Sequence, residues 1–463
     1  MKLRLNDKPY RTVLPAVTDA GAYRPVSYWQ ETISVAPGAP LNEQVTCDVA
    51  VIGGGFTGLS SALALKEAAP SLDVVLLEHS VVGHGASGRN GGFAMPLIGW
   101  DLTDAAHKLG EDGAGAAYRT MYGAVEHLRR MIEERGIACD MEETGYLLLA
   151  TCKGRLGRVR HEAELGKRLG FDIEYLEGAA LREHVASDSF LAGAYDPHPF
   201  VVNPAKLAGG LKTAAEAAGV RIYEQTPVTK LDDGKPVTLT TPNGSVAARA
   251  VVLGMNGYGG AMGFMESRVL PVHTYIVMTE PLSQDELEAT GWHKRRTSLE
   301  TARNFIHYFR LTVDNRILFG GEDADLYYGG AYRDRNDGMF AALERRFREY
   351  FPALRHVRMS HRWGGVLGVT LDMFPTFGAG GDHGTIFHAA GYSGHGVSLA
   401  NYAGALLAPH VLDALGLKDA ARTAERPFFF GRRPTPIPPE PLRYVGMQAY
   451  RYALKGQDAI QGA

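Results

Sequence analysis

Apolar and polar positions change their period several times along the chain, and each change marks an element. Asp48 to Ile52 is a short apolar run of strand length. From Thr57 to Ala68 small and apolar residues follow at helical spacing, until Pro70 and Ser71 stop the helix. A second run, Asp73 to Leu77, predicts another buried strand. Met121, Val125, Leu128 and Ile132 mark one face of a helix, and "GYLLLA" after it reads as a strand. Asn203 before Pro204 is an N-cap with proline at the first helical position, so a helix is expected from Pro204 to Ala218, stopping at Gly219. "VRIYEQ" then predicts a strand, and "PVHTYIVMTEP", "NFIHYFRLT" and "RILFGG" read as strands of an antiparallel sheet. Near the end "TIFHAA" is a strand and "VSLANYAGALLA" a helix that Pro409 is expected to kink or end. The proline-rich "RPFFFGRRPTPIPPEPLRY" is expected to wrap the surface before a short helix near Val445 to Leu454.

Composition narrows the partners rather than the fold. At 463 residues, 45% of them hydrophobic, the chain is too long for one ordinary core. The 48 basic and 51 acidic residues leave a net charge of −3, which gathers neither nucleic acid nor anionic membrane, so a small-molecule partner is expected. The opening residues lack a signal-peptide core and no stretch approaches the ~18 apolar residues of a membrane span, so a cytoplasmic protein is expected. Cys47, Cys139 and Cys152 are odd in number and far apart, which predicts buried or half-buried thiols, not a disulfide framework or zinc site. His383, His388 and His395 miss the i, i+4 spacing of helical metal ligands, so no metal is expected.

Candidate chemistry begins between the first strand and helix, at Gly53-x-Gly55-x-x-Gly58, with Phe56 and Thr57 inside the motif. Gly53 permits the tight turn, Gly55 lets a diphosphate approach the backbone, and Gly58 lets helix and strand pack closely; the helix start offers N–H groups and positive dipole. Glu78, closing the second strand 25 residues after Gly53, suits a ribose hydroxyl. The next segment, "VVGHGASGRNGGF", is too glycine-rich to pack as an element. Gly85, Ala86, Ser87, Gly88, Arg89, Asn90, Gly91 and Gly92 form a loop able to lie along an extended ligand. A second strand-to-helix seam, Gly391, Tyr392, Ser393, Gly394, His395 and Gly396, offers another helix start to a developing negative charge.

With "GASGRNGG" following "LLE", and with "VVNPAKLAGGLKTAAEAAGVRIYEQTPV", "RAVVLGMNGYGG", "YFRLTVDNRILFGGE", "HRWGGVLGVTLDMFPTFG" and "AAGYSGHGVSLA" in order, the chain resembles the D-amino-acid oxidase superfamily of FAD-dependent oxidoreductases. Its gamma-glutamylputrescine oxidoreductase branch looks nearest, with glycine oxidase and sarcosine oxidase related. The resemblance implies an α/β fold: a Rossmann-like FAD-binding lobe (40–95, 200–260 and 360–425) interleaved with an α+β substrate lobe on an antiparallel sheet (96–199 and 261–359). Residues 1–39 would be an N-terminal extension and 426–463 a C-terminal tail. It further implies hydride transfer from a substrate carbon to flavin N5, an imine that hydrolyses to aldehyde or keto acid, and oxygen or another electron acceptor. Val228 would meet the adenine through its backbone, and Gly364 falls in a family block. Cysteine is absent from the C-terminal flavin blocks, which favours non-covalent FAD.

For the substrate, alternation along "NFIHYFRLT" turns Tyr308 and Arg310 one way and His307 and Phe309 the other. Arg310 suits a carboxylate clamp, with Tyr308 or Tyr275 adding a hydroxyl; an exposed or structurally paired arginine fits the sequence as well. His273 and Trp363 are further pocket candidates. Two other classes stay open: a monooxygenase reduced by a pyridine nucleotide, for which no second glycine fingerprint is found, and a flavin-bearing subunit without catalysis. The sequence leaves open the identity of the amine or amino acid, oxidase versus dehydrogenase chemistry, and oligomeric state.

Overall fold

The computed structural model describes residues 25–417 and 426–461; residues 1–24 of the expected 1–39 extension, and the short pieces 418–425 and 462–463, lie outside them. Two eight-stranded sheets organise the chain. In the first, Gln44–Ile52 runs parallel to Val74–Leu77 on one side and Ser245–Leu253 on the other. Arg221–Tyr223 extends it in parallel beyond Val74–Leu77, Ile386–Ala390 beyond Ser245–Leu253, and Thr376–Gly380 closes that edge antiparallel. Val49 and Val51 pack with Leu59, Leu63 and Leu407 on one face, while Ala50 and Ile52 join Val75 and Leu77 on the other. Burial on both faces explains why these strands read as unbroken apolar runs. The helices Phe56–Ala68 and Gly396–Ala414 cross closely. A Cβ at Gly404 would stand 2.0 Å from the Ser60 carbonyl oxygen, so glycine is required at that crossing.

The second sheet runs in the order Met359–Val369, Leu270–Thr279, Ile317–Gly321, His307–Leu311, Ser298–Thr301, Tyr146–Ala150, Ala192–Asp196 and Glu174–Glu177. All its pairs are antiparallel except Ser298–Thr301 with Tyr146–Ala150. Tyr275, Val277, Phe309 and Phe319 pack with Phe340 and Phe347 of the helix Asp337–Tyr350 on one face. Ile276, Leu318, Trp363 and Tyr308 meet Trp29 and Ala205 on the other, toward the first lobe.

Several expectations hold in detail. The helix Pro204–Ala217 begins with the Asn203 carboxamide accepting from the Ala205 and Lys206 N–H groups, and Gly219 takes φ +86° just beyond its end. Met121, Val125, Leu128 and Ile132 are buried along Leu102–Glu134. Others are corrected. Met359–Val369, assigned with Gly364 to the cofactor lobe, pairs along Leu270–Thr279 and belongs to the second sheet. Of the kink or end expected at Pro409, the end does not occur: the helix continues to Ala414 because Val411 and Leu412 carry the buried face onward. The terminal helix is longer than expected, Leu442–Ile460.

Candidate functional site

An elongated cavity opens where the parallel strands of the first sheet end, at Ile52, Leu77 and Gly254. Its open mouth included, the empty space between its walls comes to about 1170 Å³. Gly53, Gly55, Phe56 and Thr57 form one wall. Gly53 takes φ +104°, and a Cβ at Gly58 would lie 1.9 Å from the Gly53 carbonyl oxygen, so Gly58 serves strand–helix packing behind the cavity. The helix Phe56–Ala68 starts at Gly55 without a side-chain cap; the Phe56 N–H instead donates to Ser87 Oγ at 2.9 Å. Glu78 lines the cavity with its carboxylate held by the Gly54 N–H at 2.6 Å and the Ser80 N–H at 2.8 Å. Burial pushes its carboxyl up to about 7.

Gly85, Ala86, Ser87 and Asn90 form a second wall, Val228 a third, and Tyr392, Gly394, Gly396 and Val397 a fourth. Thr57 Oγ1 and the Tyr392 hydroxyl share a hydrogen bond of 2.7 Å, joining the first glycine motif to the last. His395 sits at the N-cap of Gly396–Ala414, makes no side-chain cap bond, and is absent from the lining. Gly88, Arg89, Gly91, Gly92, Gly391 and Ser393 also stand behind the lining, where they shape the loops. A Cβ at Gly88 would strike the Gly83 carbonyl oxygen at 2.2 Å, and one at Gly92 the Val202 carbonyl oxygen at 2.1 Å. Arg89 is buried, donating to the Asp334 carboxylate at 2.6 Å and, through Nη2, to His84 Nε2 at 3.0 Å. Burial first, and then the Arg89 charge, push the His84 imidazole down to about 3, so it is neutral where it lines the cavity.

The substrate candidates do not converge. Tyr275 packs edge-on to Phe340 and bonds the Tyr327 hydroxyl, whereas Tyr308 packs on Phe93 across the sheet, so the two hydroxyls face opposite sides. His273 lies on the Tyr275 side, its Nε2 accepting the Arg333 N–H at 3.0 Å. Arg310 is 3% exposed, donates to the Val202 carbonyl at 3.0 Å and lies 4.8 Å from the Trp29 ring. Strand alternation gives the side chain's direction, but not the tryptophan that covers it. Trp363 is buried, and its indole donates to the Arg89 carbonyl.

Asn256, Met255, Tyr258, Met262, Val366 and Leu367 line the cavity without having been singled out in the sequence. Asn256 Oδ1 accepts the Gly391 N–H at 3.0 Å, and its signal was the Asn-Gly pair following the strand Ser245–Leu253. A helix start beside a carboxylate at the tip of the second strand, both opening onto a mostly apolar cavity, suits an extended dinucleotide.

The family model "FAD dependent oxidoreductase" (DAO) matches residues 48–409. Gamma-glutamylputrescine oxidoreductase of Escherichia coli (strain K12) is 34% identical over 91% of this chain and 95% of its own length. Glycine oxidase of Geobacillus kaustophilus (strain HTA426) is 25% identical over 78% of this chain and 92% of its own. The crystal structure of glycine oxidase from Geobacillus kaustophilus superposes with a TM-score of 0.69 at 23% identity, covering 85% of this chain and all of that one, a likeness of fold. No helix among the described residues is long and apolar enough to cross a membrane. The cavity, its glycine walls and these likenesses agree: the chain belongs to the DAO family of FAD-dependent oxidoreductases, enzymes that oxidise amines and amino acids at a C–N bond.

Proposed function

We propose that the chain holds FAD non-covalently along this cavity and oxidises a small amine, with gamma-glutamylputrescine, the compound in its relative's name, as the first substrate to try. The observation that carries the reading is that three glycine-rich segments, distant in sequence, wall one cavity: Gly53–Gly55, Gly85–Ser87 and Gly394–Gly396. Bound there, FAD supplies the two-electron acceptor for the C–N oxidation. The start of Phe56–Ala68 holds the diphosphate, Glu78 accepts from a ribose hydroxyl, and the Val228 backbone meets the adenine. The start of Gly396–Ala414 stabilises negative charge on the pyrimidine side of the ring. None of Cys47, Cys139 and Cys152 lines the cavity, which supports non-covalent binding. The imine product hydrolyses with water to an aldehyde or keto acid, and oxygen or another acceptor removes the electrons.

Anaerobic mixing of purified holoprotein with a panel of amines and amino acids tests this. Bleaching of the flavin absorbance by at least one amine is expected. Bleaching by NADPH alone would point to a monooxygenase, and no bleaching by any compound to a flavin-bearing protein without this catalysis; either result overturns the proposal.

A further inference from the structure

Outside the cavity, the short turn Tyr28–Glu31 spends its side chains on the back of the cofactor loop. Gln30 Nε2 donates to the carbonyls of Gly83 at 3.2 Å and His84 at 3.0 Å. Ser27 Oγ donates to the Gly88 carbonyl at 2.6 Å, and the Trp29 indole to the Asn90 carbonyl at 2.9 Å. All three donors are buried. Trp363 adds one more bond, from the second sheet to the Arg89 carbonyl. A loop whose carbonyls are held from behind cannot flip those peptide planes toward a ligand, so its inner edge, Gly85 to Ser87, keeps one face to the cavity.

The same turn grips the second sheet. The Trp29 ring lies 4.8 Å from the Arg310 guanidinium, Tyr28 packs edge-on to His361 at 5.1 Å, and Glu31 pairs with His361 at 3.1 Å. Gln30 is fixed from both ends of its amide: Oε1 accepts the Val26 N–H at 2.9 Å and closes a capping box with Ser27, leaving Nε2 for the loop. The turn lies upstream of the family match, which begins at residue 48.

We propose that Ser27–Glu31 is a positioning strap for the cofactor. It fixes the Gly83–Asn90 loop in its binding conformation and sets that loop's distance from the substrate sheet. The inference rests on FAD occupying the cavity. Gln30→Glu isolates the strap's action, because the carboxylate still accepts the capping bonds while losing the donor that faces two carbonyls. FAD affinity, read by flavin fluorescence quenching on titration into apoprotein, is expected to weaken about tenfold or more, with the visible circular dichroism of the bound flavin altered. The Gln30→Glu carboxylate is buried and lowers apoprotein melting, whereas Trp29→Phe brings in no charge and its apoprotein should melt near the wild-type value. Trp29→Phe removes one donor but keeps a ring over Arg310, so affinity should weaken several-fold with KM for the amine unchanged; Trp29→Ala should raise KM as well. Wild-type affinity and dichroism in Gln30→Glu and Trp29→Phe would overturn the proposal. So would a loss of affinity in Trp29→Phe that tracks a fall in its apoprotein melting, since the turn would then be a brace for the fold. A wild-type protein that takes up no FAD would sink the cofactor reading itself, a result distinct from unaffected variants of a protein that binds it.

Discussion

At Gly394 the backbone takes φ +96°, and a Cβ there would find no atom nearer than 3.9 Å, so the constraint on the residue is conformational rather than spatial. Gly394→Val is expected to lose most of its flavin, and His395→Ala, whose ring is off the lining, to keep it; the flavin-to-protein absorbance ratio after gel filtration checks both. Glu300 offers a test outside the cavity. Burial pushes its carboxyl up to about 8, against which the Tyr146 hydroxyl bond works only in part. A folded pKa above the unfolded value means the folded state keeps the proton. Stability tied to this group is therefore fully present below about 4.5 and lost as pH rises toward 8. Glu300→Gln should melt above wild type at pH 8, with the advantage shrinking on acidification, as thermal unfolding across pH would show. The sequence made the glycines legible because φ and close approach exclude other residues. Arg310 and Asn256 were less so, because a partner such as Trp29 or Gly391 is set by tertiary neighbours more than two hundred residues away in one case and more than a hundred in the other.

Helices and strands were legible where caps and periodicity agree, as in Pro204–Ala217, and less so where packing overrides a local breaker, as at Pro409. The terminal helix Leu442–Ile460 shows a different balance. Asp458 is its buried residue; its carboxylate pairs with buried Arg155 and accepts the Asn304 N–H at 3.0 Å. Arg451 and Lys455 add ion pairs to Asp323, while Leu442, Val445 and Tyr452 remain exposed. Docking by charge rather than by apolar burial makes one substitution decisive: Asp458→Asn leaves the Arg155 charge buried and poorly matched, at a cost of about 3–5 kcal/mol. Faster proteolysis confined to the terminal helix, with flavin content unchanged, is the expected result, and added salt should enhance it by screening the partly exposed pairs to Asp323.

For the molecule as a whole, the resemblance rather than periodicity led to the expectation of two interleaved lobes, since local pattern says nothing about which strands share a sheet. The one strand misassigned, Met359–Val369, lies where the chain passes between sheets, and its apolar and glycine positions suit either. Interleaving also has a consequence in time. The parallel sheet takes its strands from Gln44–Ile52, Ser245–Leu253 and Ile386–Ala390, and the last seam that lines the cavity follows only at Gly394–Gly396. A ribosome has therefore made more than four-fifths of the 463 residues before the cavity's last wall exists. Capture of the cofactor is a late event in the life of each nascent chain, and a polypeptide stalled short of that seam has every earlier glycine motif but an unfinished cradle.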